Sequence, residues 1–198
     1  VGKKTPSAGE KNKILQHLDQ VIGDSKGLAK VPAKGRQRVQ LTPARIRLLA
    51  TGLKAQLNSG SKKTESLNEL ARQLDEIKSQ LKDVSMTPEN WLVFRLKGQY
   101  QMADIEQTSG NKAAVHGILE SSWPHLQELA DTVGFGFHTQ LIEALVGYWG
   151  FARLSGYEGK TNSEAEKLTQ KVLAKMAEME DPSGVVKHHS GRIQRVMK

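Results

Sequence analysis

The sequence contains no cysteine, few aromatic residues and no long apolar run. None of its 198 residues is cysteine, and phenylalanine, tyrosine and tryptophan together make up 5%. The missing cysteines exclude a disulfide scaffold, thiolate metal ligands and cysteine catalysis. No apolar stretch approaches the roughly 18 residues that a membrane span needs, and the first residues lack the apolar core of a secretory signal. We therefore expect a soluble, cytoplasmic protein without membrane contact.

Acidic residues are too few to balance the basic ones, and the basic excess is concentrated near the start of the chain. Lysine and arginine number 29 against 21 aspartates and glutamates, a formal net charge of +8. Residues 1–54 hold 12 basic residues against three acids, residues 55–160 ten against 13, and residues 161–198 seven against five. A concentrated positive field attracts polyanions such as nucleic acid. A tail that only keeps the protein soluble has the same composition, so both interpretations stay open.

Apolar residues recur at helical spacing along most of the chain. The two-residue alternation that is typical of half-buried strands is not sustained anywhere. Thr42 with Pro43 predicts one helix start and Thr87 with Pro88 another, because threonine caps helices and proline suits the first helical position. Ser163 and Glu166 have the spacing of a capping box. The predicted helices cover about 43–57, 64–82, 88–108, 111–133, 138–155 and 163–179.

This pattern predicts an all-α fold, an antiparallel bundle of five to six helices with a basic N-terminal arm and a C-terminal helical extension. We expect residues 1–40 to form the arm with a short helix, residues 41–158 the bundle domain, and residues 159–198 an amphipathic helix and a basic tail. The third predicted helix is apolar around nearly its whole circumference, so it should be central. In the first predicted helix, about 43–57, the apolar stripe that we expect to face the core consists of Ile46, Leu49, Ala50, Leu53 and Leu57.

Enzyme motifs are absent from the sequence. It has no phosphate loop, no nucleophile elbow and no dinucleotide fingerprint, since Gly134-Phe135-Gly136 has neither a third glycine nor a preceding strand. His188 and His189 are adjacent, but further ligands at a suitable spacing do not follow them. The sequence therefore predicts no catalytic residue, no metal site and no cofactor.

Basic residues on two predicted helices are the candidates for a binding site. At 100° per residue, Arg47 and Lys54 lie with Thr51 on the flank beside the apolar stripe, and the 1.5 Å rise per residue separates the two cations by about 10 Å. Such a ridge could follow a phosphate backbone, although ordinary solvated helix charges explain it too. Arg95 and Lys97 interrupt the apolar run of the third helix. Charges there either pair with internal acids or reach the surface where an anion docks.

Three motifs in a fixed order are similar to those of a known family. They are LTPARIR (residues 41–47), WLVFRLKGQY (91–100) and LIEALVGYWGF (141–151). Over about residues 36–156, this order resembles the small helical subunit of type III-A (Csm-type) CRISPR effector complexes.

The resemblance implies a non-catalytic subunit that stacks in several copies along the guide RNA and target RNA, beside the backbone and large subunits of the complex. It implies contacts with phosphate and ribose, while cleavage belongs to other subunits. By position, Arg47, Arg95 and Lys97 match basic residues of the family's RNA-facing ridge. Arg45 and Lys54 are further RNA-binding candidates.

Three other functions stay open. The same basic arm could grip duplex DNA in a helical accessory protein of a plasmid or phage. An enzyme with an unrecognised site is a second alternative, although the sequence shows no convergent group of titratable residues. A purely protein-binding role is the third, and internal ion pairs at Arg47 and Arg95 would favour it.

Overall fold

The computed structural model describes residues 6–28, 38–80, 87–181 and 183–198, with the backbone alone at 27–28, 38–45 and 77–80. These residues form α-helices and contain no strand, which confirms the all-α prediction. The helices are α1 (Ala8–Leu28), α2 (Arg38–Leu57), α3 (Gly60–Gln80), α4 (Pro88–Thr108), α5 (Lys112–Val133), α6 (Thr139–Ser155), α7 (Lys160–Ala177) and α8 (Val185–Met197).

The chain divides into two compact units, Val1–Ser85 and Met86–Lys198. The boundary between them lies inside residues 41–158, the stretch predicted to be one bundle domain. In the first unit, α2 packs against both α1 and α3. In the second unit, α4 packs against α5 and α6, α5 also contacts α6 and α7, and α6 contacts α8.

α1 is longer than the short helix predicted within the N-terminal arm, because a capping box starts it early. The Ser7 hydroxyl donates to the Glu10 carboxylate at 2.7 Å, and the Glu10 backbone N–H donates to Ser7 Oγ at 3.3 Å. Hydrogen bonds from the hydroxyl and the backbone N–H of Ser7 lower the pKa of Glu10. This Ser-x-x-Glu pattern satisfies free N–H groups of the first turn. The basic arm continues through Lys30, Lys34, Arg36 and Arg38, of which the first three lie outside the described residues and Arg38 begins α2.

Two of the predicted helix starts are wrong and one is confirmed. α2 begins at Arg38, so Thr42 does not cap it. α7 begins at Lys160, which places Ser163 inside the helix. Thr87 does cap α4, since its hydroxyl oxygen accepts from the Asn90 N–H at 3.3 Å and proline follows it.

α6 is the most enclosed helix of the second unit. Eight of its 17 residues are buried, against seven of 21 in α4, which was predicted to be central. Gly147 allows α4 and α6 to approach closely, because a Cβ at this position would lie 2.7 Å from the Tyr100 ring. α6 ends at Gly156, whose left-handed φ of 67° suits glycine.

Hydrogen bonds from buried aromatic side chains join α6 and α5 to α7. The Tyr148 hydroxyl lies 2.7 Å from Thr161 Oγ1, and Trp149 Nε1 donates to Thr169 Oγ1 at 2.9 Å. Trp123 Nε1 donates to the Glu164 carboxylate at 2.7 Å. These bonds let the rings lie in the core with their polar atoms satisfied.

We expect Trp149→Ala to lower the free energy of unfolding by about 3–5 kcal/mol, because it removes a buried ring and the bond to Thr169. Trp91→Ala should cost less, because Trp91 packs against the core only partly buried. Urea unfolding followed by circular dichroism measures both. Equal losses for the two variants would contradict this arrangement.

The three tyrosines of the chain should resist ionisation until the second unit unfolds. Burial raises the pKa of Tyr148 to about 12 and also raises the pKa of Tyr100 and Tyr157. A tyrosine in the unfolded chain ionises near pH 10, so this contribution to stability is present below about pH 10 and is lost as the pH rises towards 12. Absorbance at 295 nm should rise together with the loss of helical circular dichroism. Ionisation near pH 10 with unchanged helicity would contradict this expectation.

Candidate nucleic-acid interface

α2 is rotated relative to the prediction, so that only Ala50 of the predicted stripe is buried, Ile46 and Leu57 are partly buried, and two leucines are exposed. Leu49 and Leu53 are 59% and 48% exposed, whereas Arg47 and Thr51 are 9% and 1% exposed. The prediction that Leu49 and Leu53 face the core is therefore wrong, and so is the placement of Arg47 on an exposed flank.

The covered face of α2 contains the buried apolar residues Leu48 and Ala55 and also makes polar contacts with α3. Gln73 Nε2 donates to Thr51 Oγ1 at 3.0 Å and to the Glu69 carboxylate at 2.9 Å. Thr51 and Gln73 are both buried, and a buried polar pair is stable when its members bond each other. Apolar periodicity shows which residues share a face, and these contacts decide which face is covered.

Arg47 and Lys54 do not form the predicted exposed ridge. Arg47 is buried, its Nε has no hydrogen-bond partner, and it forms no salt bridge with a carboxylate of the described residues. Lys54 is half-buried, and its ammonium lies 2.5 Å from the Asp19 carboxylate on α1. The Arg45 side chain lies outside the described residues.

Replacing the exposed leucines tests the orientation of α2. We expect Leu49→Gln and Leu53→Gln each to change the free energy of unfolding by no more than about 0.5 kcal/mol. Leucine and glutamine have similar helix propensity, and both leucine side chains are exposed to solvent. Leu70→Ala, at a fully buried position of α3, should cost about 2–5 kcal/mol. Urea titrations measure all three. A loss at Leu49 as large as that at Leu70 would restore the original prediction.

Arg95 and Lys97, both on α4, have different surroundings. The Arg95 guanidinium lies 5.8 Å from the centroid of the Trp91 ring, one turn earlier on the helix. This contact is a cation–π interaction, so the charge of Arg95 is engaged within the protein. Lys97 is exposed and forms no salt bridge with a carboxylate in the described parts of the chain.

Lys97 lies at a groove of about 300 Å³ between α4 and α6, which Tyr100, Gln140 and Glu143 also line. The Glu143 carboxylate accepts two hydrogen bonds from the Arg192 guanidinium, at 2.5 and 3.2 Å, and these lower the pKa of Glu143. Glu143 is thus an ionised carboxylate whose charge is already balanced by Arg192. Lys97 adds a weaker electrostatic attraction that also lowers the pKa of Glu143, but it forms no salt bridge there, so its exposed side chain can still meet an anion from solution.

The predicted site residues are divided between the two units. Arg47 and Lys54 belong to the first unit, and Arg95 and Lys97 to the second. Within the second unit, Lys97 and Arg95 lie on the same helix, and Lys97 is the one with its charge exposed.

Sequence reasoning did not include the basic residues of α8 among the candidates for a binding site. The segment that was predicted as a basic tail is the helix Val185–Met197, with Lys187, His188 and Arg195 exposed, followed by the exposed Lys198. Residues 185–198 contain four lysines and arginines and no acid. That signal was in the sequence, but a charge count over residues 161–198 combined it with the acids of α7.

The described residues contain no group of three histidine, aspartate or glutamate side chains that could hold a metal ion. None of the helices in the described parts of the chain is both long enough and apolar enough to cross a membrane. In comparisons with known proteins, no family model, no curated protein and no solved structure matches this chain.

Proposed function

We propose that this chain is a non-catalytic RNA-binding subunit of a cytoplasmic CRISPR ribonucleoprotein. It contacts the backbone of the paired guide RNA and target RNA, and its protein partners are the backbone and large subunits and further copies of itself. The resemblance of the three motifs to the type III-A small subunit is the basis for three parts of this proposal. They are that the chain binds RNA, that it belongs to a multi-subunit complex and that it is not catalytic.

The exposed ammonium of Lys97 is the observation that carries the proposal. Lys97 belongs to the second of the three motifs, and the carboxylate beside it is already paired with Arg192. An exposed lysine that forms no salt bridge with a described carboxylate attracts phosphate, and the net charge of +8 draws a polyanion towards the chain. Contacts to phosphate position a protein on a duplex without reading its bases. Pairing between guide and target then supplies the sequence specificity.

Binding to a guide–target RNA duplex, compared with a DNA duplex of the same sequence at matched salt, tests the function. We expect tighter binding to RNA, with an affinity that falls steeply as salt rises. Lys97→Gln should lower the slope of log K against log salt by about 0.7–0.9, the effect of one lost phosphate contact. Fluorescence anisotropy at several salt concentrations measures both quantities.

Lys112→Gln is the matched control, because Lys112 is an exposed lysine of α5 outside the three motifs. It removes the same charge and should leave the slope unchanged. Equal effects of the two variants would discard Lys97 as a contact. Tighter binding to DNA than to RNA would favour the alternative, a DNA-binding accessory protein of a plasmid or phage.

A further inference from the structure

The outward face of α8 carries positive charge that its own helix does not balance. Lys187, His188 and Arg195 are exposed on this face, and the exposed Lys198 follows the last turn. The helix contains no aspartate or glutamate. At a rise of 1.5 Å per residue, the distance along the axis from Lys187 to Lys198 is about 16 Å. The face is therefore long enough to meet several consecutive phosphates.

Contacts on the opposite face hold α8 in place. Ile193 is fully buried, and Val186 and Val196 pack against the core of the second unit. On the flank, Arg192 is paired with Glu143 of α6, and the His189 ring lies 5.5 Å from the Phe137 ring. Because these contacts determine the rotation of the helix, Lys187, Arg195 and Lys198 are held pointing away from the core.

Nearby acids do not neutralise this face. Arg195 and Lys198 are one turn apart, and Arg153 of α6 brings a third cation close, since its guanidinium donates to the Arg195 carbonyl at 3.3 Å. None of these three cations forms a salt bridge with a carboxylate that the structure describes. The Asp181 carboxylate, four residues before α8, accepts a hydrogen bond at 2.8 Å from the Lys187 backbone N–H and forms no salt bridge with the Lys187 ammonium. Like charges one turn apart on a helix repel each other.

Gly191 lies at the centre of this face without an internal reason for being glycine. It is in the middle of a helix, and a Cβ at this position would meet no atom within 4 Å. Glycine destabilises a helix interior relative to alanine, because it loses more conformational freedom on folding. The same residue permits the close approach of a ligand to the helix backbone.

We propose that this face of α8 binds the phosphodiester backbone of nucleic acid. Lys187, Arg195 and Lys198 contact phosphates, and the strand passes over Gly191, where no side chain holds it away from the helix. That the strand is RNA rests on the proposed function. The recognition itself depends on phosphate charge, so α8 is a second contact surface in addition to Lys97.

The first test removes the charges. The triple variant Lys187→Gln, Arg195→Gln, Lys198→Gln should bind the guide–target RNA duplex about ten-fold or more weakly at 0.1 M salt, with a slope of log K against log salt lower by about two to three. Its control is Lys112→Gln, Lys160→Gln, Lys167→Gln, which removes three exposed lysines of α5 and α7. Equal losses in the two triple variants would show an effect of net charge alone and would overturn the proposal.

The second test replaces Gly191 with alanine, a change that we expect to stabilise the protein and to weaken its binding to RNA. Gly191→Ala should raise the midpoint of thermal unfolding and weaken RNA binding about three- to ten-fold, comparable to the loss of one good contact. Gly117→Ala on α5, where a Cβ also meets nothing within 4 Å, should raise the midpoint and leave binding unchanged. Unchanged binding in Gly191→Ala would overturn the close approach at this residue.

Titration with inorganic polyphosphate separates this inference from the proposed function. One outcome is that the unaltered chain binds polyphosphate but not RNA, and that the α8 triple variant no longer binds polyphosphate. This outcome would support the phosphate-binding face of α8 and contradict the proposed RNA function. If Lys97→Gln weakens RNA binding while the α8 triple variant binds RNA and polyphosphate like the unaltered chain, the RNA function stands and the α8 inference is overturned.

Discussion

The second unit depends on the burial of α6 against α4, α5 and α8. Gly147 lets α4 come close, and the hydroxyl of Tyr148 and the indole N–H of Trp149 are bonded to threonines of α7. Because α6 also carries Glu143, it forms one wall of the groove beside Lys97 and, through Arg192, positions α8. Both exposed basic sites of this unit therefore depend on the packing of one apolar helix.

In the first unit, by contrast, α2 buries two polar residues together with Leu48, Ala50 and Ala55, and it exposes two leucines. Thr51 and Gln73 are bonded to each other between α2 and α3, and Arg47 lies on the same buried side as Thr51. Leu49 and Leu53 are left in solvent. A basic residue on such a helix is not automatically a surface residue, and its availability to an anion depends on which neighbours cover it.

Positive charge becomes a binding surface only where the protein's own groups leave it unbalanced. Lys54 is paired with Asp19 and Arg95 lies over Trp91, so both are engaged internally. Lys97 and the cations on the outward face of α8 form no salt bridge among the described residues, and the Glu143 carboxylate near Lys97 is paired with Arg192. This difference, more than the net charge of the chain, is what directs the proposed contacts with phosphate to the second unit.

The sequence by itself determined the all-α class and the start of α4, because periodicity and the Thr87-Pro88 cap are local signals that a helix obeys wherever it packs. It also showed that residues 161–198 end in a basic segment, although not that this segment folds as α8. Only the tertiary structure decided the rotation of α2, since a helix between two neighbours can bury either face and the bond between Thr51 and Gln73 joins residues 22 positions apart. It likewise separated Lys97 from Arg95, because whether a cation finds an internal partner depends on groups that the fold, not the spacing along the chain, brings near it.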